Sequence, residues 1–212
     1  MVPLSHLIAF AAVATILVTV PGPSVVFTIS RALSRGRQVA LLNVVGNSIG
    51  LIGQVVVVAL GLGALVERSV EVFTVVKLIG AIYLVYLGLQ AIRHRRSFAE
   101  SFSLSSGNVH PVKALRDGMV VGATNPKSIA FFVVVLPQFT LPSLGDLPLQ
   151  LLTLGLVFAA IALVLDSLWA IGAASAGQWV TRSPRRLSAI GGASGLVMIG
   201  LGVSVVATGR KN

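Results

Sequence analysis

The sequence predicts an all-α, polytopic membrane protein, and three observations support this fold class. Of its 212 residues, 55% are hydrophobic and only 10% are charged, and the mean hydropathy is +0.95. Soluble domains average about 25% charged residues, which help to cover an apolar core. The charges also lie in short clusters between long apolar runs. Lipid is therefore the expected solvent for most of this chain.

Six apolar stretches are long enough to cross a bilayer, because a transmembrane helix needs about 20 mostly apolar residues. They run from Leu7 to Ile29, Val39 to Val66, Val72 to Ile92, Gly118 to Phe139, Leu149 to Ala176 and Leu187 to Ala207. A basic, polar linker at 93–116 separates two groups of three, at 1–92 and 117–212. Since three is odd, the second half enters the membrane in the opposite direction to the first. The sequence thus predicts one membrane domain built as a 3+3 inverted repeat.

Lysine and arginine favour one side of the predicted bundle. Most of the 16 occur in the first, third and fifth connections, namely Arg31, Arg35, Arg37, Arg93, Arg95, Arg96, Lys113, Arg116, Arg182, Arg185 and Arg186. Cytoplasmic loops of membrane proteins are rich in these residues, so we expect both termini outside the inner (cytoplasmic) membrane. The net charge of +10 then indicates contact with anionic lipid. Nucleic-acid binding is not expected, because the basic clusters lack a set of aromatic stacking residues.

Residue types that carry enzyme chemistry are scarce in the apolar spans. The chain has no cysteine, which excludes thiol chemistry and cysteine-built metal sites. The three histidines, His6, His94 and His110, lie at the start of the chain or in the linker, without metal-ligand spacing. There is no Gly-x-Ser-x-Gly motif and no cluster of carboxylates. We therefore expect neither enzyme activity nor a cofactor or metal site.

Prolines interrupt the first span of each half. A proline lacks an N–H and breaks a helix, but it suits the first position of a new helix after a Gly or Asn cap. Both sites therefore predict two half-helices, whose free N-terminal amides suit a carboxylate. Paired breaks of this kind indicate a transporter binding site, and simple proline kinks are the alternative. The candidate substrate-binding residues are Pro21, Gly22, Pro23, Ser24, Asn125, Pro126 and Lys127.

Two ionisable residues fall near the middle of predicted spans, Lys127 in the fourth and Asp166 in the fifth. Charges at this depth are costly, face the bundle interior and often pair. We expect these two to lie close together, with Asp166 as a proton acceptor or a partner for a substrate ammonium. The alternative is a static ion pair that orders the bundle. Weaker polar candidates are Asn47, Gln54, Tyr83 and Tyr86, which interhelical hydrogen bonding or packing would also explain.

Three motifs together resemble the LysE/RhtB family of amino-acid exporters. They are Pro21-Gly22-Pro23, the segment from Lys77 to Gly88, and the segment from Gly118 to Lys127. The resemblance spans nearly the whole chain, and Asp166 with Trp169 also fits it. Two positions depart from the family pattern. Val20 stands where a threonine is frequent, and Leu51 follows Gly50 where many members carry an acidic residue.

The resemblance implies a secondary transporter that exports amino acids or derivatives, either neutral, such as threonine or homoserine, or lysine-like. Exchange with protons is the expected coupling. The alternatives are a cation or metal exporter of a related family and a membrane scaffold that transports nothing. Gly-x-x-x-Gly motifs at 46–50, 118–122 and 191–195 predict close helix packing and would allow a homodimer.

Overall fold

The computed structural model describes residues 2–68, 70–94, 110–181 and 183–208. Within these residues, every regular element is helical, which confirms the predicted all-α class. The eight α-helices are α1 (Leu4–Thr19), α2 (Pro23–Arg35), α3 (Arg37–Arg68), α4 (Val70–Arg93), α5 (Pro111–Thr124), α6 (Pro126–Val134), α7 (Leu147–Thr181) and α8 (Pro184–Thr208). Two 3-10 turns, Leu136–Phe139 and Pro142–Leu144, connect α6 to α7. Linker residues 95–109 and the predicted loop cations Arg95, Arg96, Arg182, Arg210 and Lys211 lie outside the described residues.

Three helices are individually long and apolar enough to cross a membrane, and they contain the segments Arg37–Gly61, Thr74–Arg93 and Leu147–Ala173. Two helix pairs, α1 with α2 and α5 with α6, pass the same test together and bend by 51° and 43° at their breaks. The described residues therefore provide three candidate spans, or up to five if each bent pair is one span. In α8 the apolar stretch Gly192–Ala207 is shorter, so the sixth predicted span is not confirmed.

Helix α5 begins seven residues before the apolar run that predicted it. Pro111 occupies its first turn, and the turns that follow contain Lys113 and Arg116. Hydropathy located only the apolar part, because a basic end of a helix does not differ in hydropathy from a polar loop. With this earlier start, the break follows 14 residues of α5, close to the 16 residues of α1 that precede the first break. The two bent pairs are therefore interrupted at similar positions.

Glycines bring two helix pairs into backbone contact. A Cβ added to Gly118 or Gly122 in α5 would collide with the main chain of Asn43 or Asn47 in α3. In the other pair, a Cβ at Gly88 of α4 would lie 2.6 Å from a backbone oxygen of α8. Small residues allow this approach, as the Gly-x-x-x-Gly motifs predicted. The motifs at 46–50 and 118–122 are used inside the monomer, so they do not supply a dimer contact.

The two longest helices, α3 and α7, form the centre of the bundle. They pack against each other, and each also packs against both helices of a bent pair, α3 against α5 and α6, and α7 against α1 and α2. Helix α3 contacts α2 as well. Helices α4 and α8 pack together, and α4 also contacts α6. The ends of α2 and α4 and the starts of α3 and α5 carry arginine or lysine. We call this end of the bundle the basic face and the opposite end the far face.

A pair of glycine substitutions in α3 tests the close contact with α5. We expect Gly50→Ala to lower thermal stability by about 1–3 kcal/mol, the usual cost of overpacking, because the new Cβ would meet the backbone of Met119 and Ala123. Gly53→Ala, three residues further on, has no neighbouring atom within 4 Å. It should leave stability unchanged or raise it by up to about 1 kcal/mol through helix propensity. Thermal unfolding of the purified protein in detergent measures both, and equal effects would contradict the contact.

Candidate functional site

The first helix break releases carbonyl groups that a buried lysine binds. The carbonyl of Leu17 would normally accept from residue 21, but Pro21 has no N–H. Instead, Lys127 Nζ donates to Leu17 O at 2.8 Å and to Val20 O at 2.7 Å. The ammonium group thus closes the C-terminal end of α1, where the helix dipole favours positive charge.

The second break has the predicted cap. Asn125 is the N-cap of α6, Pro126 occupies the first turn, and Asn125 Oδ1 accepts from the backbone N–H of Lys127 at 3.1 Å. An asparagine before a helix stabilises it by satisfying one free amide. The prediction of two half-helices is therefore confirmed at both breaks, with Gly22 as the corresponding cap of α2.

Gln54 of α3 supplies the remaining hydrogen bonds at the second break. Its Nε2 donates to Ala123 O at 2.9 Å and more weakly to Asn125 O at 3.4 Å. Its Oε1 accepts from Ser128 Oγ at 2.8 Å. A carbonyl left without a partner in the bundle would cost about 1–3 kcal/mol. Gln54 therefore holds the break in shape, as an interhelical bonding role predicts.

The two breaks meet in the middle of the bundle. Asn125 Nδ2 donates to Ser24 Oγ at 3.2 Å, which joins the cap of α6 to the start of α2. The Lys127 side chain crosses against Gly22, where an added Cβ would lie 3.0 Å from Lys127 Cδ. Gly22 thus provides the space through which the lysine reaches the end of α1.

A small cavity lies beside this junction, with about 30 Å³ of space for the centres of water molecules. Its polar wall consists of Ser24, Asn47, Asn125, Lys127, Ser128 and Asp166, together with the backbone at Gly22. Its apolar wall consists of Leu17, Val18, Val25, Leu51, Phe158 and Ala162. A few converging polar groups against an apolar wall are typical of a small-molecule site.

Asp166 is the carboxylate of this cavity and is 2% exposed. Its Oδ2 accepts from Asn47 Nδ2 at 3.1 Å. Neither Asp166 Oδ1 nor Asn47 Oδ1 has a hydrogen-bond partner among the described residues, although both atoms are buried. Buried acceptors are rarely left without a donor. Two such acceptors on one cavity fit a ligand that carries N–H or O–H donors.

Helix α2 presents free amides to the same cavity. No side chain caps its N-terminus, and the first backbone bond of the new helix runs from Val26 N to Gly22 O at 3.0 Å. The N–H groups of Ser24 and Val25 precede that bond and have no carbonyl within the helix to reach. The start of α2 therefore offers donors and a partial positive charge for an anionic group.

Lys127 and Asp166 line one cavity, in keeping with the expectation that they lie close together, but they do not form the static ion pair that was the alternative. Their charged atoms are not within 4.0 Å of each other, and the ion pair found among the described residues is Arg31–Asp117, at 2.8 Å. The physical reason is competition, because the carbonyls released at Pro21 take up the lysine ammonium. The carboxylate of Asp166 keeps one oxygen free as a result.

Half of the twelve predicted site residues line the cavity, and the other half do not. Gly22, Ser24, Asn125, Lys127, Asp166 and Asn47 contribute to its walls. Pro21, Pro23, Pro126 and Gln54 shape the breaks without lining it, and Tyr83 and Tyr86 stack on each other on the exposed surface of α4. Sequence reasoning missed Leu51, Phe158 and Ala162. Helical spacing could have found them, because each lies one or two turns from Asn47 or Asp166 on the same face.

Comparison with known proteins places the chain in a family. A membrane protein of Vibrio cholerae is 34% identical over 92% of this chain and 94% of its own length. The homoserine/homoserine lactone efflux protein of Salmonella typhimurium is 29% identical over 92% of each chain. The leucine efflux protein of an Enterobacter species is 28% identical over 87% of each chain.

No solved structure matches this chain. A protein family does match most of the chain: residues 15–209 match the LysE type translocators. That range includes both helix breaks, the cavity and Asp166, so the match covers the whole candidate site. The chain is accordingly a membrane protein that belongs to the LysE type translocator family.

Proposed function

We propose that this protein is a multi-pass transporter that exports neutral amino acids across the inner membrane. The observation that carries the proposal is the free carboxylate oxygen of Asp166 on a cavity at the junction of two broken helices. Asn47, its hydrogen-bond partner, is ten residues from the start of α3, or about 15 Å at 1.5 Å per residue. That depth is half of a hydrocarbon core of about 30 Å. A site at mid-membrane suits a secondary transporter.

The substrate's ammonium group is the primary recognition element in this proposal. Homoserine, homoserine lactone and leucine, which the names of two relatives specify, all carry an α-ammonium group. The lactone has no free carboxylate, so a site that recognised only the carboxylate of its substrate could not bind all three compounds. The free oxygens of Asp166 and Asn47 match an ammonium donor, and the carboxylate or carbonyl would meet the amides that begin α2.

The charges of the cavity favour neutral amino acids over lysine-like ones. Asp166 is the carboxylate among the described residues that line it. Once that carboxylate binds the α-ammonium group, a second ammonium on the substrate would face Leu17, Leu51 or Phe158 without a counter-charge. Burying an unpaired charge against such a wall is costly. A small apolar or hydroxyl-bearing side chain fits there without that cost.

In this proposal, proton exchange uses Asp166, the carboxylate among the described residues that line the cavity. Asp166 Oδ1 can accept an ammonium donor or carry a proton, but not both at once. A proton arriving from outside would therefore release the substrate, and loss of that proton to the cytoplasm would prepare the site for the next molecule. Each cycle would move one zwitterion outward and one proton inward.

The helix packing supports a six-span, inverted-repeat architecture. If α1–α4 and α5–α8 are equivalent halves related by a two-fold axis, each contact between two helices should have a counterpart between the two equivalent helices. Several contacts follow this rule, since α3–α7 and α4–α8 join equivalent helices and α3 on α5–α6 matches α7 on α1–α2. The contacts α2–α3 and α4–α6 do not follow it, because their counterparts α6–α7 and α8–α2 are at most weak. With the basic face in the cytoplasm, as the lysine and arginine distribution predicts, both termini lie outside.

Other functions fit the observations less well. A scaffold would gain nothing from a cavity with unpaired acceptors, because each costs stability. A cation or metal exporter would dehydrate its ion at the site and needs several ligands there, whereas the described lining offers Asp166 with amide and hydroxyl oxygens.

Replacing Asp166 tests the proposal directly. We expect Asp166→Asn to reduce amino-acid export to background while the protein still reaches the membrane, because the neutral amide neither balances an ammonium group nor cycles a proton. Efflux of radiolabelled homoserine or leucine from preloaded cells is the measurement. Asp146→Asn is the matched control, because Asp146 is exposed at the start of α7 and asparagine keeps its positive φ and its capping bond. Normal export by Asp166→Asn would remove the carboxylate from the mechanism.

Substrate analogues test which group is recognised. Leucine methyl ester keeps the ammonium group and should compete with leucine for export, although more weakly because it has lost the anionic carboxylate. N-acetyl-leucine has no ammonium group and should not compete at all. Competition assays in inverted vesicles, with lysine as a further competitor, separate these cases. Strong inhibition by N-acetyl-leucine would show that Asp166 does not select the substrate.

A further inference from the structure

A line of buried polar groups leads away from the cavity towards the basic face. Asn43 lies one turn before Asn47 on α3, and its Nδ2 donates to Thr28 Oγ1 of α2 at 3.0 Å. Both side chains are buried, Asn43 at 1% exposure and Thr28 at 0%. Asn43 Oδ1 has no hydrogen-bond partner among the described residues, like the free oxygens of Asn47 and Asp166. Three unpartnered acceptors thus follow one another along the bundle.

The spacing of these acceptors suits water. Four residues along α3 separate Asn43 from Asn47 by about 6 Å, which two hydrogen bonds of about 2.8 Å through one water molecule can bridge. Buried waters in proteins bind to polar groups that otherwise have no partner. The hydroxyl of Ser48, also on α3, is a further buried group without a partner among the described residues.

An ion pair closes this line at the basic face. Arg31 Nη2 of α2 donates to Asp117 Oδ2 of α5 at 2.8 Å, one turn beyond Thr28. The Arg31 guanidinium also stacks 4.8 Å from the ring centroid of Phe27. Both charged side chains are partly exposed, at 16% and 21%, so water reaches this level from the basic face.

The route to the far face is apolar. Phe10 of α1 contacts Phe131 of α6 and Phe139, with ring centroids 5.9 and 5.4 Å apart. Phe158 of α7 contacts Phe131 and Phe132, with centroids 5.1 and 4.9 Å apart. These rings fill the space between the breaks and the far face, and an apolar space of this kind stays dry.

We propose that a thread of water bound by Asn47, Asn43 and Thr28 connects Asp166 to the basic face, and that Arg31 and Asp117 gate its outer end. The aromatic cluster separates Asp166 from the far face in this conformation. The thread gives the proposed export function, on which this role rests, a path for the proton. Its hydration is independent of that function and can be measured without a transport assay.

Cysteine labelling tests the thread, because the chain has no cysteine of its own. Thr28→Cys and Ala14→Cys place one thiol on each half of the first broken helix, at positions that are both 0% exposed. N-ethylmaleimide reacts with the thiolate, which forms far more readily in water than in apolar surroundings. We expect Thr28→Cys to react roughly tenfold faster than Ala14→Cys. Equal rates, or faster reaction of Ala14→Cys, would overturn the thread.

The gate is tested in the same cysteine variants. Adding Arg31→Gln to Thr28→Cys should accelerate its reaction with a membrane-impermeant thiol reagent applied from the basic face. The exchange of Arg31→Asp with Asp117→Arg should restore the slow rate, because the ion pair re-forms with its charges reversed. Ala14→Cys with Arg31→Gln should stay slow, which controls for general loosening of the bundle. An unchanged rate in Thr28→Cys with Arg31→Gln would refute the gate.

The labelling and export results can fail separately. If Thr28→Cys stays unreactive while Asp166→Asn abolishes export, the thread is wrong and the proposed transporter stands. If Thr28→Cys reacts as expected while Asp166→Asn exports normally, the thread is hydrated but does not serve that carboxylate.

Discussion

The need to satisfy backbone hydrogen bonds at two broken helices governs the centre of this protein. In a bilayer, a carbonyl without a protein donor cannot form a hydrogen bond with water instead. Irregular backbone therefore persists only where protein or a wet cavity surrounds it. Pro21 removes the donor for the carbonyl of Leu17, and Lys127 Nζ replaces it. The Asn125 cap takes the N–H that would serve the carbonyl of Ala123, and Gln54 replaces it. The same constraint brings polar side chains together in the centre of the bundle, and the cavity lies where these groups converge.

Close packing elsewhere in the bundle offsets the free energy that burying this polar centre costs. Glycines allow α3 to touch α5, and α4 to touch α8, through their main chains. Such contacts depend on close van der Waals packing, which remains available in lipid, where no hydrophobic effect drives helices together. The helices that carry Asn47 and Asn125 are thereby held in fixed register, and their amide groups meet Asp166 and Ser24 at hydrogen-bond distance.

Sequence patterns predicted the parts of this structure that depend on local chemistry. The caps at Gly22 and Asn125 followed from the conformational preferences of proline and its neighbours, and the buried position of Asp166 followed from its depth in an apolar run. The partners of Lys127 could not be predicted, because they depend on which carbonyls another helix brings nearby. The same limit explains why a static ion pair between Lys127 and Asp166 remained an alternative at the level of sequence. It also explains why Leu51 was read as a departure rather than as a wall of the cavity.

The lysine that spans the two breaks has a mechanical consequence. Lys127 belongs to α6, yet its ammonium group is bonded to the last carbonyls of α1. Sliding α6 away from α1 would strip both bonds from a charged donor at once, whereas tilting about that point keeps them. If the half-helices move, Lys127 would therefore be the fixed point about which α6 and α1 tilt. A bundle hinged in this way widens at one end only as it narrows at the other.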